Sequence, residues 1–179
     1  MRVIVFLILT LNSIIALSQE VLMSDNATIS FKSEAPLEII EAESNDCLGV
    51  VRMTDATFLF KVRIRSFEGF NSPLQREHFN ENYLESGKFP DAQFNGYILT
   101  DLQELDEKWK SFTIKGDLEI HGVIQERVIE VNMRLEGGDT IEYYAEFEVE
   151  LIDFDIDVPR IVFEKLAESI QVRIEGILQ

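Results

Sequence analysis

The chain has 179 residues, of which 33 are acidic and 16 are basic, so its formal net charge is −17. A hydrophobic content of 46% with 10% aromatic residues excludes a disordered acidic tail. The negative charge provides no electrostatic attraction for nucleic acid or for an anionic membrane surface. A single cysteine excludes an intrachain disulfide framework and a Cys-rich metal site. The length suits one domain with a sizeable core.

Residues 1–18 are typical of a secretory signal peptide. Arg2 precedes an apolar run that is broken at Asn12 and Ser13 and falls short of the roughly 20 apolar residues a membrane span requires. The small residues Ala16 and Ser18 suit a peptidase cleaving before Gln19. We therefore expect a mature chain of residues 19–179 in the periplasm or outside the cell, with no stable membrane insertion after cleavage.

Apolar and polar residues alternate with a period of two along the rest of the chain, which predicts strands with one apolar face. The long alternating runs are 58–65, 112–121, 129–135, 141–151 and 170–175, and the shorter ones are 28–31, 37–42, 50–53 and 94–99. Predicted turns separate them at 24–26, 44–46 and 137–139, with an acidic loop at 101–108. Eight or nine antiparallel strands in one domain predict an all-β barrel or sandwich.

Two segments interrupt the alternation and are expected to be helical. One is 72–86, where Pro73 can open a helix and Gly87 can end it. The other is 159–168, which also begins with proline. Cys47 has no basic neighbour to lower its pKa, so a buried, free and unreactive thiol is expected rather than a nucleophile.

The segment from Phe67 to Gly96 closely resembles the YceI-like family. Tyr83-Leu84-Glu85-Ser86 and then Lys88-Phe89-Pro90-Asp91-Ala92-Gln93-Phe94-Asn95-Gly96 stand where that family has a helical insertion followed by a "yP.a.F.G" stretch. Downstream, 116–123 is similar to the family's "G.Lt.hGvtk" strand and turn, and 153–156 to its final segment. The resemblance runs over most of residues 19–179 in the family's order.

The resemblance implies an eight-stranded antiparallel lipocalin-like barrel with one or two short helical insertions at its mouth, in a bacterial periplasmic or secreted protein. Studied members hold an isoprenoid, quinone-like or other apolar lipid in the barrel, without catalysis, and some are homodimers. Apolar walls are what such a ligand requires. The inward-facing candidates are Phe58, Phe60, Val62, Ile64, Phe94, Phe112, Ile114, Leu118, Ile129, Met133, Tyr143 and Phe147. The candidates for the pocket mouth are Phe67, Phe70, Leu74, Phe79 and Phe89.

Other chemistry has weaker support in the sequence. His78 and His121 are the only histidines, and neither has the additional nitrogen or sulfur ligands a zinc site needs, so no metal is expected. His121 begins a turn, where a structural hydrogen bond is expected. Asp153, Asp155 and Asp157 have calcium-loop spacing, but Val158 replaces the glycine such a loop requires, and an acidic strand edge is expected instead. No nucleophile or phosphate-binding motif is present.

Two interpretations of function stay open. In the first, the barrel carries a hydrophobic small molecule and performs no chemistry. In the second, side chains fill the barrel, which then has no ligand and acts as an envelope or stress-related interaction protein through its acidic outer face. Small barrels occur in both forms, because the interior of eight strands is just wide enough either to be filled or to hold one ligand.

Overall fold

The computed structural model of the protein describes residues 21–137, 140–159 and 164–179. Eight strands form a closed barrel in which each strand pairs with the next along the chain and β8 closes onto β1. The strands are β1 (Val21–Glu34), β2 (Ile39–Arg52), β3 (Thr57–Arg63), β4 (Asp91–Ile98), β5 (Lys110–Ile120), β6 (Val123–Leu135), β7 (Ile141–Glu150) and β8 (Ser169–Leu178). Every pairing is antiparallel. The predicted all-β barrel is confirmed.

The alternation in the sequence determines which side chains face inward. On β7, for example, Tyr143 and Ala145 are buried while Glu146 and Glu148 are exposed. Because successive side chains in a strand point to opposite faces, each strand contributes one apolar row to the interior and one mostly charged row to the surface. The predicted runs at 58–65, 112–121, 129–135, 141–151 and 170–175 therefore correspond closely to β3, β5, β6, β7 and β8.

The two turns predicted in the N-terminal part of the chain are wrong. Residues 24–26 lie within β1 and residues 44–46 within β2, so the runs predicted at 37–42 and 50–53 fall largely within a single strand. The polar residues form bulges instead: Asp25 and Asn26 stand opposite the single residue Leu48, because the pairing shifts between Ser24 and Ala27. A second shift between Ala27 and Ile29 places two residues of β2 opposite one of β1.

Hydrogen bonds explain why the second predicted turn is stable as a strand. Ser44 is buried and its hydroxyl lies 2.6 Å from that of Ser66. Asn45 accepts a bond from the Thr28 hydroxyl at 2.7 Å, and Asp46 accepts one from the Arg63 guanidinium at 2.6 Å. Partners on neighbouring segments thus satisfy the polar groups that would otherwise favour a turn.

The helical insertion between β3 and β4 is shorter than predicted. The α-helix α1 covers Pro73–His78 and continues as one π-helical turn at Phe79–Tyr83, instead of reaching residue 86. Ser72 caps α1 by accepting a hydrogen bond from the Gln75 backbone N–H at 3.2 Å, and Pro73 occupies the first helical turn. The helix predicted at 159–168 lies partly outside the described residues, and 164–168 form no helix.

The segment after β7 also differs from the prediction. Residues Leu151–Phe154 form a short 3-10 helix rather than a strand edge, and Asp155 follows in the left-handed region at φ 55°. Asp153 pairs with Arg127 of β6 at 2.5 Å, and the Phe154 ring is fully buried. The hairpin predicted at 137–139 is consistent with β6 ending at Leu135 and β7 beginning at Ile141, although positions 138 and 139 lie outside the described residues.

Basic side chains on the outer face are paired with acidic neighbours. Lys61 lies 2.7 Å from Asp91, and Arg134 lies 2.5 Å from Glu142. Each exposed pair contributes at most about 1 kcal/mol to the free energy of unfolding. The main consequence of this pairing is electrostatic: the unpaired excess of carboxylates gives the barrel a negative surface, while its interior stays apolar.

Candidate ligand-binding cavity

Two adjoining cavities lie inside the barrel. The first has a volume of about 110 Å³ and is bordered by residues from all eight strands. The second has a volume of about 160 Å³ and extends towards the helical insertion and the 3-10 helix after β7. Both are lined almost entirely by aliphatic and aromatic carbon. An apolar cavity of this kind offers water no hydrogen-bonding partners and suits an apolar occupant.

Two glycines make room for the aromatic side chains of the first cavity. The Phe60 ring covers Gly49, where an added Cβ would lie 2.2 Å from Phe60 Cε1. The Tyr143 hydroxyl similarly lies over Gly176, 2.7 Å from the place a Cβ would occupy. Phe60 and Tyr143 contact each other edge to face, with ring centroids 5.5 Å apart. The two rings therefore border the first cavity in fixed positions.

The polar groups of the first cavity are few and unreactive. The Tyr143 hydroxyl is 3.0 Å from the hydroxyl of buried Ser24, and burial raises the pKa of Tyr143. Burial also raises the pKa of the Cys47 thiol to about 11, with a smaller contribution from nearby Asp46. Cys47 is the buried free thiol that was predicted. Neither group is ionised at neutral pH, so neither provides a nucleophile or a charge for a ligand.

An aromatic cluster covers one end of the second cavity. Phe31 of β1 stacks on Phe79 of the insertion with ring centroids 5.3 Å apart, and Phe67 lies 5.5 Å from Phe31 and 5.8 Å from Phe79. Phe70 packs against the same group, with ring centroids 5.0 Å from Phe79 and 6.0 Å from Phe31. Tyr83 and Leu84 complete the wall that the insertion contributes. The insertion therefore contributes part of the wall of the second cavity.

Hydrogen bonds fasten the insertion to the barrel. Asn71 donates to the Ile39 carbonyl at 2.9 Å, and Arg76 donates to the Arg65 carbonyl at 3.0 Å. The Arg65 side chain in turn donates to the Ser86 hydroxyl at 3.1 Å. These bonds hold α1 and its flanking residues in place against β2 and the 3-10 turn Ile64–Ser66 that follows β3.

His121 anchors the far end of the same segment. Its Nε2 lies 2.9 Å from a carboxylate oxygen of Glu85, and its Nδ1 lies 3.1 Å from the Phe154 carbonyl oxygen. The ring also packs edge to face against Phe89, with centroids 4.8 Å apart. The structural hydrogen bond predicted for His121 is confirmed. His78, by contrast, ends α1 on the exposed surface.

The structure brings most of the predicted site residues together. Ten border the first cavity: Phe58, Phe60, Val62, Phe94, Ile114, Leu118, Ile129, Met133, Tyr143 and Phe147. Ile64, Phe67 and Phe79 border the second, as Val62, Leu118 and Phe147 also do. The remaining four border neither cavity: Phe112 is fully buried in the core, Phe70 packs against the aromatic cluster, Phe89 packs on His121, and Leu74 is 58% exposed.

Several lining residues were not among the predicted set. Phe31 lies on β1, and Ile174 and Val172 lie on β8. Their alternation was visible in the sequence, but nothing in it distinguished them from ordinary core residues. Ala92 and Ala145 also border the first cavity. Small side chains leave space in a barrel, yet alanine by itself carries no sequence signal for a binding site.

The described residues provide little for metal or membrane chemistry. Among them, no group of three or more His, Cys, Asp or Glu side chains is arranged to hold a metal ion. The charged residue that borders the first cavity, Lys61, directs its ammonium group to Asp91 on the surface. Within 21–137, 140–159 and 164–179, no helix has the length and apolar character needed to cross a membrane.

Comparison with known proteins decides the family. The family model described as YceI-like domain matches residues 19–177. The chain belongs to the YceI-like family. No curated protein matches the chain in sequence. The resemblance seen at 67–96 and 116–123 is thereby confirmed, and the barrel described above is a YceI-like barrel.

Several solved structures share the fold at low sequence identity. A polyisoprenoid-binding domain from Saccharophagus degradans, implicated in plant cell wall breakdown, superposes with a TM-score of 0.76 at 10% identity, covering 88% of this chain and 97% of that one. BcnA from Burkholderia cenocepacia gives 0.70 at 13% identity, covering 84% and 95%. The YceI protein of Campylobacter jejuni gives 0.59 at 17% identity, covering 77% and 83%.

Proposed function

We propose that this YceI-like protein binds an elongated apolar molecule, an isoprenoid, quinone-like or other lipid, inside its barrel and carries it without chemical change. The observation that carries this proposal is the pair of adjoining carbon-lined cavities inside the barrel. The similarity to a structure described as a polyisoprenoid-binding domain supports the same ligand class. No cofactor is needed for this function, and the ligand itself is the only small molecule proposed.

The energetics favour an apolar chain. Moving apolar surface out of water contributes about 25 cal/mol per Å², so a ligand that buries about 200 Å² gains about 5 kcal/mol. A polar or charged ligand would lose its hydration without compensation, because the lining provides almost no hydrogen-bonding groups. The walls therefore select for carbon and against charge.

Catalysis has no support from the arrangement of the lining. Hydrolysis requires a nucleophile and a general base within hydrogen-bonding distance of each other. The hydroxyl and thiol groups at the first cavity belong to Tyr143 and Cys47, and burial raises the pKa of both. We therefore propose a binding protein and not an enzyme.

The proposed location is the periplasm or the outside of a bacterial cell. It depends on the signal peptide predicted at residues 1–18, which lie outside the described residues, and on membership of the YceI-like family. A carrier in that compartment would take up the ligand where the aqueous phase separates lipid surfaces. A homodimer is also proposed, and its support is that some other members of the family are homodimers.

Native mass spectrometry of the mature protein, followed by organic extraction and lipid analysis, tests the proposal. A stoichiometric adduct that is released as an isoprenoid or quinone-type lipid is the expected result. The matched control is the variant Ala145→Trp, which places a large side chain in the first cavity and should lower the bound fraction. If the wild type shows only the mass of the ligand-free protein and takes up nothing from an added lipid panel, the carrier proposal is wrong. The alternative, an interaction protein whose barrel is filled by side chains, then takes its place.

A further inference from the structure

The two cavities meet at a ring of side chains in the middle of the barrel. Five residues border both cavities: Ile29, Val62, Ala92, Leu118 and Phe147. Phe147 is the only aromatic residue among them. The space left open between these five side chains determines whether the interior is one continuous channel or two compartments.

Phe147 reaches the middle of the barrel from β7, and Val62 belongs to β3. These strands are four positions apart in a closed barrel of eight, so they lie across the barrel from each other. The Phe147 side chain packs against both hydrophobic clusters of the interior, one containing Phe112 and Met133 and the other containing Leu118 and Phe154. The side chain is half-buried, and it borders both interior cavities as well as an open pocket lined by charged residues of β1, β2, β7 and β8.

We infer that the Phe147 ring is the partition that sets the length of the apolar chain this barrel accepts. The inference rests on the proposed function. A short chain fits within one cavity and leaves the ring in place. A longer ligand must occupy both cavities and displace the Phe147 ring from its contacts with the two clusters. This displacement costs free energy, so the longer ligand binds more weakly than the apolar surface it buries would predict.

The ring is restricted by its neighbours. Phe147 pairs with Val172 of β8 across the sheet, and the branched Val172 side chain borders the second cavity beside it. Displacing the Phe147 ring therefore removes its packing against the two clusters as well as its place beside Val172. Methyl branches on the ligand matter as well, because each branch widens the ligand where it passes the Phe147 ring.

The test compares two isoprenoid alcohols, geraniol with two isoprene units and geranylgeraniol with four. Their dissociation constants are measured for the wild type and for Phe147→Ala by competition with a fluorescent polyene fatty acid. The two alcohols differ in their own partitioning from water, so the quantity compared is the ratio of the two constants in each protein. We expect the ratio in Phe147→Ala to shift about tenfold towards geranylgeraniol.

Phe154→Leu is the control, because Phe154 is fully buried in the second cluster and borders neither cavity. It should leave the ratio unchanged. If Phe147→Ala does not fold, Phe147→Leu is measured instead, with a smaller shift in the same direction. An unchanged ratio in the folded Phe147 variant, or an equal shift in Phe154→Leu, overturns the partition and leaves the proposed function intact. If the wild type binds no alcohol and no polyene, the proposed function itself fails.

Discussion

A methyl group added at Gly49 provides a direct test of how tightly the first cavity is built. Gly49 of β2 pairs with Phe60 of β3, and a Cβ at this position would lie 2.2 Å from Phe60 Cε1. Non-bonded carbon atoms are normally about 3.5–4.0 Å apart. The β2 backbone is held by β1 on one side and β3 on the other, so the Phe60 ring moves rather than the strand. The empty space next to the ring is the cavity that it borders, so we expect the ring to move into that cavity.

The size of the effect follows from two opposing terms. Forcing extra carbon into a packed interior costs about 1–3 kcal/mol. Replacing a glycine within a strand by alanine returns about 0.5–1 kcal/mol, because alanine loses less conformational freedom on folding. A Cβ only 2.2 Å from Phe60 Cε1 places the packing cost in the upper part of its range, about 2–3 kcal/mol, so we expect Gly49→Ala to lower the free energy of unfolding by about 1–2.5 kcal/mol. Ligand uptake should fall as well, since the displaced ring occupies part of the cavity.

Urea denaturation and binding of a fluorescent polyene fatty acid measure the two effects. The double variant Gly49→Ala with Phe60→Leu should recover most of the loss, because leucine leaves room for the methyl group and the two sites are in contact. Gly87→Ala is the matched control, since its Cβ would have no neighbour closer than 3.7 Å. A stability change within about 0.5 kcal/mol for Gly49→Ala, or strictly additive effects in the double variant, would refute the assigned contact.

Three further predictions concern the interior. Tyr143→Phe should lower the free energy of unfolding by about 1–3 kcal/mol in urea denaturation, because it leaves the buried Ser24 hydroxyl without its partner; an unchanged midpoint would show that this bond contributes nothing. Since burial raises the pKa of Cys47 to about 11, the unfolded chain loses the thiol proton first as pH rises. Stability should therefore decline above the ordinary thiol pKa and up to about 11, more steeply in the wild type than in Cys47→Ala, and equal slopes would contradict this. Phe60→Asp should unfold the protein or abolish polyene binding, as a buried carboxylate requires; normal folding and uptake would show that Phe60 does not face inward.

A prediction from sequence was correct where the residues that stabilise the feature are neighbours along the chain, and wrong where they are distant. Alternation along β5 to β8 predicted both the strands and their inward faces, because apolar burial on one face is encoded residue by residue. The turn predicted at 24–26 was wrong because a bulge accommodates Asp25 and Asn26 within β1, and the turn at 44–46 was wrong because distant partners satisfy its polar side chains. Thr28 bonds Asn45, and Arg63 bonds Asp46. When only neighbouring residues are compared, such polar residues are taken for a turn between two strands.

For the site residues, the sequence predicted which side chains face inward but not which of them border a cavity. The alternation placed Phe58 and Phe112 on inward faces, and both are buried. Only Phe58 borders a cavity, since period-2 alternation gives the face of a side chain but not its height along the barrel or the space around it. Leu74 was predicted at the mouth, yet its helix turns it towards solvent.

The sequence by itself determined the family, the all-β class, and the separation of an apolar interior from an acidic surface. These follow from local alternation and from motifs that lie along the chain. Only the tertiary structure decided that the interior retains two cavities and that Phe147 lies between them. That outcome depends on the pairing of strands far apart in sequence, such as β1 with β8, and on glycines that admit the Phe60 and Tyr143 rings. The empty volume in a barrel is the difference between the space its closure encloses and the side chains that enter it, and closure is a property of the whole fold.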